Sequence, residues 1–286
     1  MTIKYFISNS IARLSSSLYL RLAYIYNRKH IPNLSSPKDI SEVLIKHVVD
    51  GTINKSYFLA DKYLVRKYII SKGYKNLLNP LIGVYDSPDE IDFSNLPNRF
   101  AIKMNYGAGM NIICNNIKNF NYKDSIDKLH GWLNKETYSN AERHYNLIDR
   151  KILIEEFIDD GHGGFPTDYK FMCIHGKVFC VLACSSRETG HASYAPFDLD
   201  WNYLEEYDRY HRAYESIPKP VNLKEMIMIA ENLSQGYDII RVDLYSNGSK
   251  IWFGEMTLTP SGCILHGWTQ KALDDMGKVY NQFIDV

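Results

Sequence analysis

No run of about eighteen apolar residues occurs in the 286 residues, so no segment is built to cross a bilayer as a helix. Neither sign of charge is in excess. The 33 Lys and Arg balance 33 Asp and Glu, which removes the basic field that dominates nucleic-acid binding and makes any charge logic local. Cysteine is scarce and odd in number. The five residues (Cys114, Cys173, Cys180, Cys184, Cys263) form no CxxC pair, which argues against a disulfide framework and a zinc site and fits a reducing, cytoplasmic compartment. Internal repeats, low-complexity tracts and flexible linkers are absent, and the length suits one large domain or a few tightly associated subdomains.

What is there begins with an interrupted apolar stretch. Asn9, Ser10, Arg13 and Ser15 to Ser17 break residues 1–30 too often for a signal peptide. An amphipathic helix is expected, with Ile7, Ile11, Leu14, Leu18 and Leu22 near one face. That face either packs on its own domain or docks on a partner or on a membrane surface, which would make the protein peripheral at the inner face of the membrane. Residues 32–80 read as helical, with Ser41 a candidate cap and SYFLADKYLVRKYIISKG a helix stopped by Gly73. RFAIKMNYGAGMNIICNN reads as strand, glycine loop, strand, and residues 123–145 as helix. KILIEEFI reads as a buried strand, YKFMCIHGKVFCVLACSS as two strands around a His-Gly turn, and LKEMIMIAENLSQG as a helix ended by Gly236. Many strands are hairpin-paired, which predicts an α+β fold.

Chemistry concentrates in three places. In IIRVDLYSNGSKIWFGEMT the Asn-Gly turn predicts an antiparallel pair, with Arg241, Asp243 and Tyr245 on one side of their strand and Phe253, Glu255 and Thr257 on one side of the other. Asp243 and Glu255 then face one cavity. Such a pair repels unless a cation lies between, and hard oxygen donors favour Mg²⁺; an ion pair with Arg241 on an exposed sheet face fits the same spacing. In AIKMNYGAGMNII, Lys103 precedes Gly107 and Gly109, a composition that lets backbone N–H groups approach phosphate, although it is neither a Walker loop nor GxGxxG and an ordinary hairpin also fits. In ILIEEFI, Phe157 and Ile158 could cover an adenine ring.

The order of these elements resembles the TupA-like branch of the ATP-grasp superfamily, from about Pro32 to the C-terminus. The matching stretches are LADKYLVRKYI, FAIKMNYGAGMNII, RHY with KILIEEFI, DYKF with HGK, and IIRVDLY with FGEMTLTPSG. The resemblance implies an ATP-grasp fold of two lobes clasping ATP, with residues 1–97 an N-terminal helical and α/β region and 98–286 the ATP-grasp domain (98–154 small lobe, 155–286 large lobe). It implies that Lys103 and the Gly107 to Gly109 loop meet the phosphates, that Glu155, Phe157 and Ile158 form the adenine hinge, and that Asp168 lies near the ribose. Arg66 stands where relatives carry a phosphate-contacting Lys, and Lys170 matches the DYK motif. Arg241, Asp243, Glu255 and Thr257 match the elements that stabilise the γ-phosphate and hold Mg²⁺, with Thr257 in place of the usual Asn.

The implied reaction is ATP-dependent ligation of a carboxylate to an amine through an acyl phosphate, releasing ADP. The implied substrates are a uronic-acid carboxylate of a capsular or O-antigen polysaccharide precursor and an amino acid or small amine. Tyr194, Trp201 and Tyr203 could stack sugar rings, and His266 and Trp268 could line the acceptor pocket. No side-chain nucleophile is needed, so the cysteines and Ser185 with His191 are expected to be structural or substrate-facing. The alternative in the same pathway is a glycosyltransferase, for which DLD at 198–200 is the one literal DxD match; it is read as following a Pro-Phe turn rather than a long apolar strand.

Overall fold

The computed structural model describes residues 10–135, 141–160, 164–185, 193–210 and 217–283. Two antiparallel sheets organise it. The first has the order β1-β4-β2-β3, from β1 (Leu81–Tyr85), β2 (Phe100–Met104), β3 (Asn111–Cys114) and β4 (Ile152–Glu156). The second has the order β7-β6-β5-β8-β9, from β5 (Thr167–Ile174), β6 (Lys177–Ser185), β7 (Ser193–Phe197), β8 (Ile239–Ser246) and β9 (Ile251–Thr257). The α+β expectation is met. One apolar cluster runs through both sheets, from Ile102 and Ile154 to Phe171, Val242 and Leu244. A second joins the N-terminal helices α1 (Ser16–Arg28) and α2 (Ile40–Val49) to the C-terminal α7 (Gln270–Gln282).

Between α2 and the first sheet the chain departs from the continuous helix expected of SYFLADKYLVRKYIISKG. Helix α3 (Tyr57–Ala60) stops at Asp61, whose backbone is extended, and α4 (Val65–Ser71) follows. The buried Asp61 carboxylate accepts the backbone N–H of Tyr63 at 2.8 Å and of Leu64 at 3.2 Å, an alternative to helix that Asp offers and most residues do not. Helix α2 is capped by Asp39 in a reciprocal capping box with Glu42, not by Ser41, because the Asp39 carboxylate reaches the Glu42 N–H at 2.9 Å. The helix expected over 123–145 ends early: α5 spans Tyr122–Leu133, and Arg143–Leu147 forms a 3₁₀ turn. Helix α6 (Leu223–Ser234) lies across β5, β6 and β8 as its apolar spacing suggests.

Helix α1 turns a different face inward from the one expected. Leu20 and Tyr24 are fully buried, whereas Leu14, Leu18 and Leu22 are exposed by 85%, 51% and 45%. Tyr24 decides this, because its hydroxyl donates to Asp39 at 2.5 Å and so fixes the helix rotation. Ile7 lies outside the described residues. None of the five cysteines is in a disulfide, and all five are buried.

Candidate active site

The charged centre is a consequence of strand register. Lys170 on β5 stands opposite Asp243 on β8, and Asp243 stands opposite Glu255 on β9, so three strands carry one row of charge across the sheet. Arg241 and Thr257 are opposite each other two residues along. A bulge makes this possible. Asp243 pairs with Glu255 but Leu244 pairs with Phe253, so Gly254 is the extra residue. Phe253 therefore shares the face of Leu244 in the core, not that of Glu255 as strict alternation predicts. A Cβ on Gly254 would lie 3.0 Å from the Asp243 carbonyl oxygen, which explains a glycine there.

Every acid in the row meets a base. Arg241 Nη2 donates to Asp243 at 2.7 Å and to Glu255 at 2.8 Å, while its Nε donates to Asp243 at 2.6 Å. Lys170 Nζ donates to Asp168 at 2.6 Å and to Asp243 at 2.7 Å. The Thr257 hydroxyl donates to Glu255 at 3.0 Å. Burial opposes charge on Glu255, yet Lys62, Arg241 and Lys170 together hold its carboxyl down at about 2. Burial likewise opposes charge on Arg241 and Lys170, and their carboxylate neighbours, Asp243 first, raise both well above their usual ranges.

The first sheet supplies a second group of charges. Lys103 on β2 donates to Glu155 on β4 at 2.8 Å, and Arg66 stands 3.6 Å from the same carboxylate while donating to the Asn79 carbonyl at 2.9 Å. Burial opposes the Lys103 charge but Glu155 outweighs it and raises the ammonium. After β2 the chain turns at Gly107 and Gly109, both in the left-handed region at φ +66° and +74°, as the glycine-loop reading requires.

Lys62 connects the two groups, and the sequence reading gave it no role. Its Nζ donates to the Gly107 carbonyl at 2.7 Å and lies 3.9 Å from Glu255. Burial pushes this ammonium down from its usual range, against the attraction of Glu255 and with repulsion from Lys103. The signal available in the sequence was the Asp-Lys pair itself. Asp61 breaks the helix and thereby aims Lys62 across the cleft.

Three spaces open onto these groups. An aromatic cleft is lined by Lys103, Ile113, Phe157, Ile158, Phe165 and Tyr245. Glu156 borders it, and Glu155, which by register shares the sheet face of Ala101 and Lys103, gives its carboxylate to Lys103. The Arg99 guanidinium covers the Phe157 ring at 3.8 Å. A second groove contains Lys170, Arg241, Tyr194, Tyr207, His266 and Trp268. A third contains Tyr19, Asn27, Glu142, Tyr145, Glu255 and Thr257. Asp168 is brought to Lys170 and the acid row.

The aromatic residues of 193–210 divide. Tyr194 borders the second groove, but Trp201 stacks on Phe197 at 4.2 Å and donates to the Ile217 carbonyl, and the Tyr203 hydroxyl donates to Asp208. Trp201 and Tyr203 are thus part of the packing. Pro196 and Phe197 do not turn but end the five-residue strand β7, which is not a long apolar strand; the Asp198 carboxylate accepts the backbone N–H groups of Asp200 and Asn202 and closes a turn. His191 lies outside the described residues.

Two antiparallel sheets beside a cleft with cationic walls and a carboxylate pair at one end are the arrangement of an ATP-grasp protein. The chain belongs to the TupA-like ATP-grasp family, whose model matches residues 41–278. Among curated proteins no sequence matches. Similar solved structures include the D-alanine–D-alanine ligase from Bacillus anthracis complexed with ATP, at 15% identity and TM-score 0.47, covering 83% of this chain and 71% of that one. Another is an L-amino acid ligase from Bacillus licheniformis, at 10% identity and TM-score 0.44, covering 85% of this chain and 54% of that one.

Proposed function

We propose that the protein uses ATP to join a uronic-acid carboxylate of a capsular or O-antigen polysaccharide precursor to an amino acid or small amine. The observation that carries this reading is the row Lys170, Asp243, Glu255, with Arg241 bridging both acids, where the second and third grooves meet. Adenine lies in the aromatic cleft beside Phe157 and Ile158. The phosphates run along Lys103, Arg66, Lys62 and the Gly107 to Gly109 loop toward Arg241. The lobes divide near residue 154, with residues 1–97 preceding them.

The acids suit Mg²⁺. Asp243 and Glu255 converge on one guanidinium nitrogen at 2.7 and 2.8 Å, and the Thr257 hydroxyl is 3.0 Å from Glu255, which makes a hard-oxygen donor set. When bound, the ion supplies charge neutralisation for the phosphate oxygens. Asp243 and Glu255 would hold it, and Thr257 would add one hydroxyl to the set. Arg241 and Lys170 meet the acceptor carboxylate and the transferring phosphoryl group, so catalysis is positioning and electrostatic stabilisation. The carboxylate oxygen takes the γ-phosphoryl group and ADP leaves; the amine nitrogen then bonds to the acyl carbon and inorganic phosphate leaves.

The second groove supports a sugar acid as acceptor, because a guanidinium and an ammonium lie beside Tyr194, Tyr207 and Trp268. Residues 1–38 hold Lys4, Arg13, Arg21, Arg28, Lys29 and Lys38 with no acid, and Leu14 just before α1 and Leu18 and Leu22 on it are exposed. That pattern supports contact with an anionic membrane surface. Among the described residues no helix is long and apolar enough to cross a membrane.

The test is ADP release by the purified protein with Mg²⁺, glucuronic or galacturonic acid, and a panel of amino acids and amines. ADP appearing only with both carboxylate and amine is the expected result. AMP release, or consumption of a nucleotide sugar without ATP, overturns the proposal.

A further inference from the structure

The second and third grooves share Arg241, Ser261 and His266, so they meet at the end of the carboxylate row. Their linings differ in balance: Lys170 and Arg241 with Asp208 in the second, Glu142 and Glu255 with Arg241 in the third. The second is cationic and aromatic, suited to a sugar acid. The third, about 330 Å³, is walled on one side by Tyr19, Ala23 and Asn27 of α1 and on the other by Tyr145 and Thr259, and it holds the carboxylate of Glu142. Thr259 donates to Glu142 at 2.6 Å and fixes that carboxylate at the wall. After burial, the Glu142 charge is a further cause that raises the Tyr19 and Tyr145 hydroxyls, so its field reaches both walls of the groove.

A ligation needs two organic substrates at one reacting atom, and they differ in charge. The carboxylate partner is drawn to Lys170 and Arg241. An amine arrives as an ammonium, which those cations repel and Glu142 attracts. We infer that the third groove is the amine subsite, with Glu142 as the anchor for the ammonium and α1 as the wall that selects the amine. This rests on the ligase reading above and adds to it a binding residue and an entry side. It also gives a task to α1, which lies before the family match at residues 41–278.

Hydroxylamine separates the two readings, since it is small, uncharged at neutral pH and intercepts an acyl phosphate as a hydroxamate. The full chain is assayed with ATP, Mg²⁺ and a uronic acid, using either hydroxylamine or glycine, L-alanine and ethanolamine. Glu142→Gln should raise the KM for the preferred amine about 10–100-fold, the effect of one charge-assisted hydrogen bond. Hydroxylamine-dependent turnover should fall much less, so the ratio of the two kcat/KM values drops at least about tenfold. Asn27→Ala, which removes a polar amide from the α1 wall while keeping helix propensity, should raise the amine KM several-fold in the same direction. It decides the matter if Glu142→Gln does not fold. Unchanged amine KM in the folded variants, or a wild-type protein that prefers none of the three amines to hydroxylamine, overturns the subsite. No hydroxamate from the wild type overturns the ligase reading instead.

Discussion

Glu255 is the residue on which most of the site converges, since Arg241, Lys62 and Thr257 all approach its two oxygens. Replacing it with Gln keeps the shape and the hydrogen-bond capacity but removes one negative charge from the proposed metal pair. Glu255→Gln should therefore weaken Mg²⁺ binding by at least about tenfold and lower kcat about a hundredfold, and, because Arg241 and Lys62 lose a paired charge, it should also lower the melting temperature. Titration of Mg²⁺ against ADP formation, alongside a thermal melt, measures both. Wild-type turnover in that variant would remove Glu255 from the mechanism. Asp243, Glu255, Lys103 and the two loop glycines were legible because motifs and turn chemistry name them. Lys62 was not, because a lysine in a helical pattern looks like a solvated face until Asp61 is seen to break the helix.

At the scale of elements, α7 is pressed against the segment that enters α2. A Cβ on Gly277 would lie 2.2 Å from the Lys38 carbonyl oxygen and 2.7 Å from the Asp39 Cα, and these are backbone atoms that cannot rotate away. Gly277→Ala should destabilise the fold by about 1–3 kcal/mol or more, despite the better helix propensity of Ala. A melting temperature equal to the wild type would show that the close approach is not maintained in solution. Hairpins and their turns were readable from Asn-Gly and His-Gly, and His175 and Gly176 do adopt φ +48° and +75°. The Gly254 bulge was not readable, since a lone glycine in a strand pattern does not say which neighbour changes face.

For the whole molecule, acid stability turns on a histidine outside the site. His144 is 1% exposed, neither ring nitrogen has a hydrogen-bond partner among the described residues, and burial pushes its imidazole down to about 4. An imidazole whose folded value lies below the ordinary one near 6.5 takes its proton first in the unfolded chain, so stability is lost as pH falls from about 6.5 to 4. The loss should reach about 2 kcal/mol by pH 5. Glu255 acts lower: its carboxyl is depressed to about 2, so its contribution is intact above the ordinary carboxylate range and is lost progressively as pH falls from that range to about 2. Urea unfolding at pH 7.5 and pH 5 should show the loss in the wild type and a smaller one in His144→Leu, and equal losses would exclude His144 as the cause.

The sequence by itself determined the class of fold, the hairpins and the identity of most charged residues in the site, because alternation, turn residues and family motifs are local properties. Tertiary structure decided which faces meet. The side of α1 that is buried, the turn of Lys62 toward Glu255 and the meeting of two grooves of different charge balance all depend on contacts between residues far apart in the chain, such as Tyr24 with Asp39 and Glu142 with Thr259. Local pattern fixes what a segment can present; only packing fixes to whom it is presented.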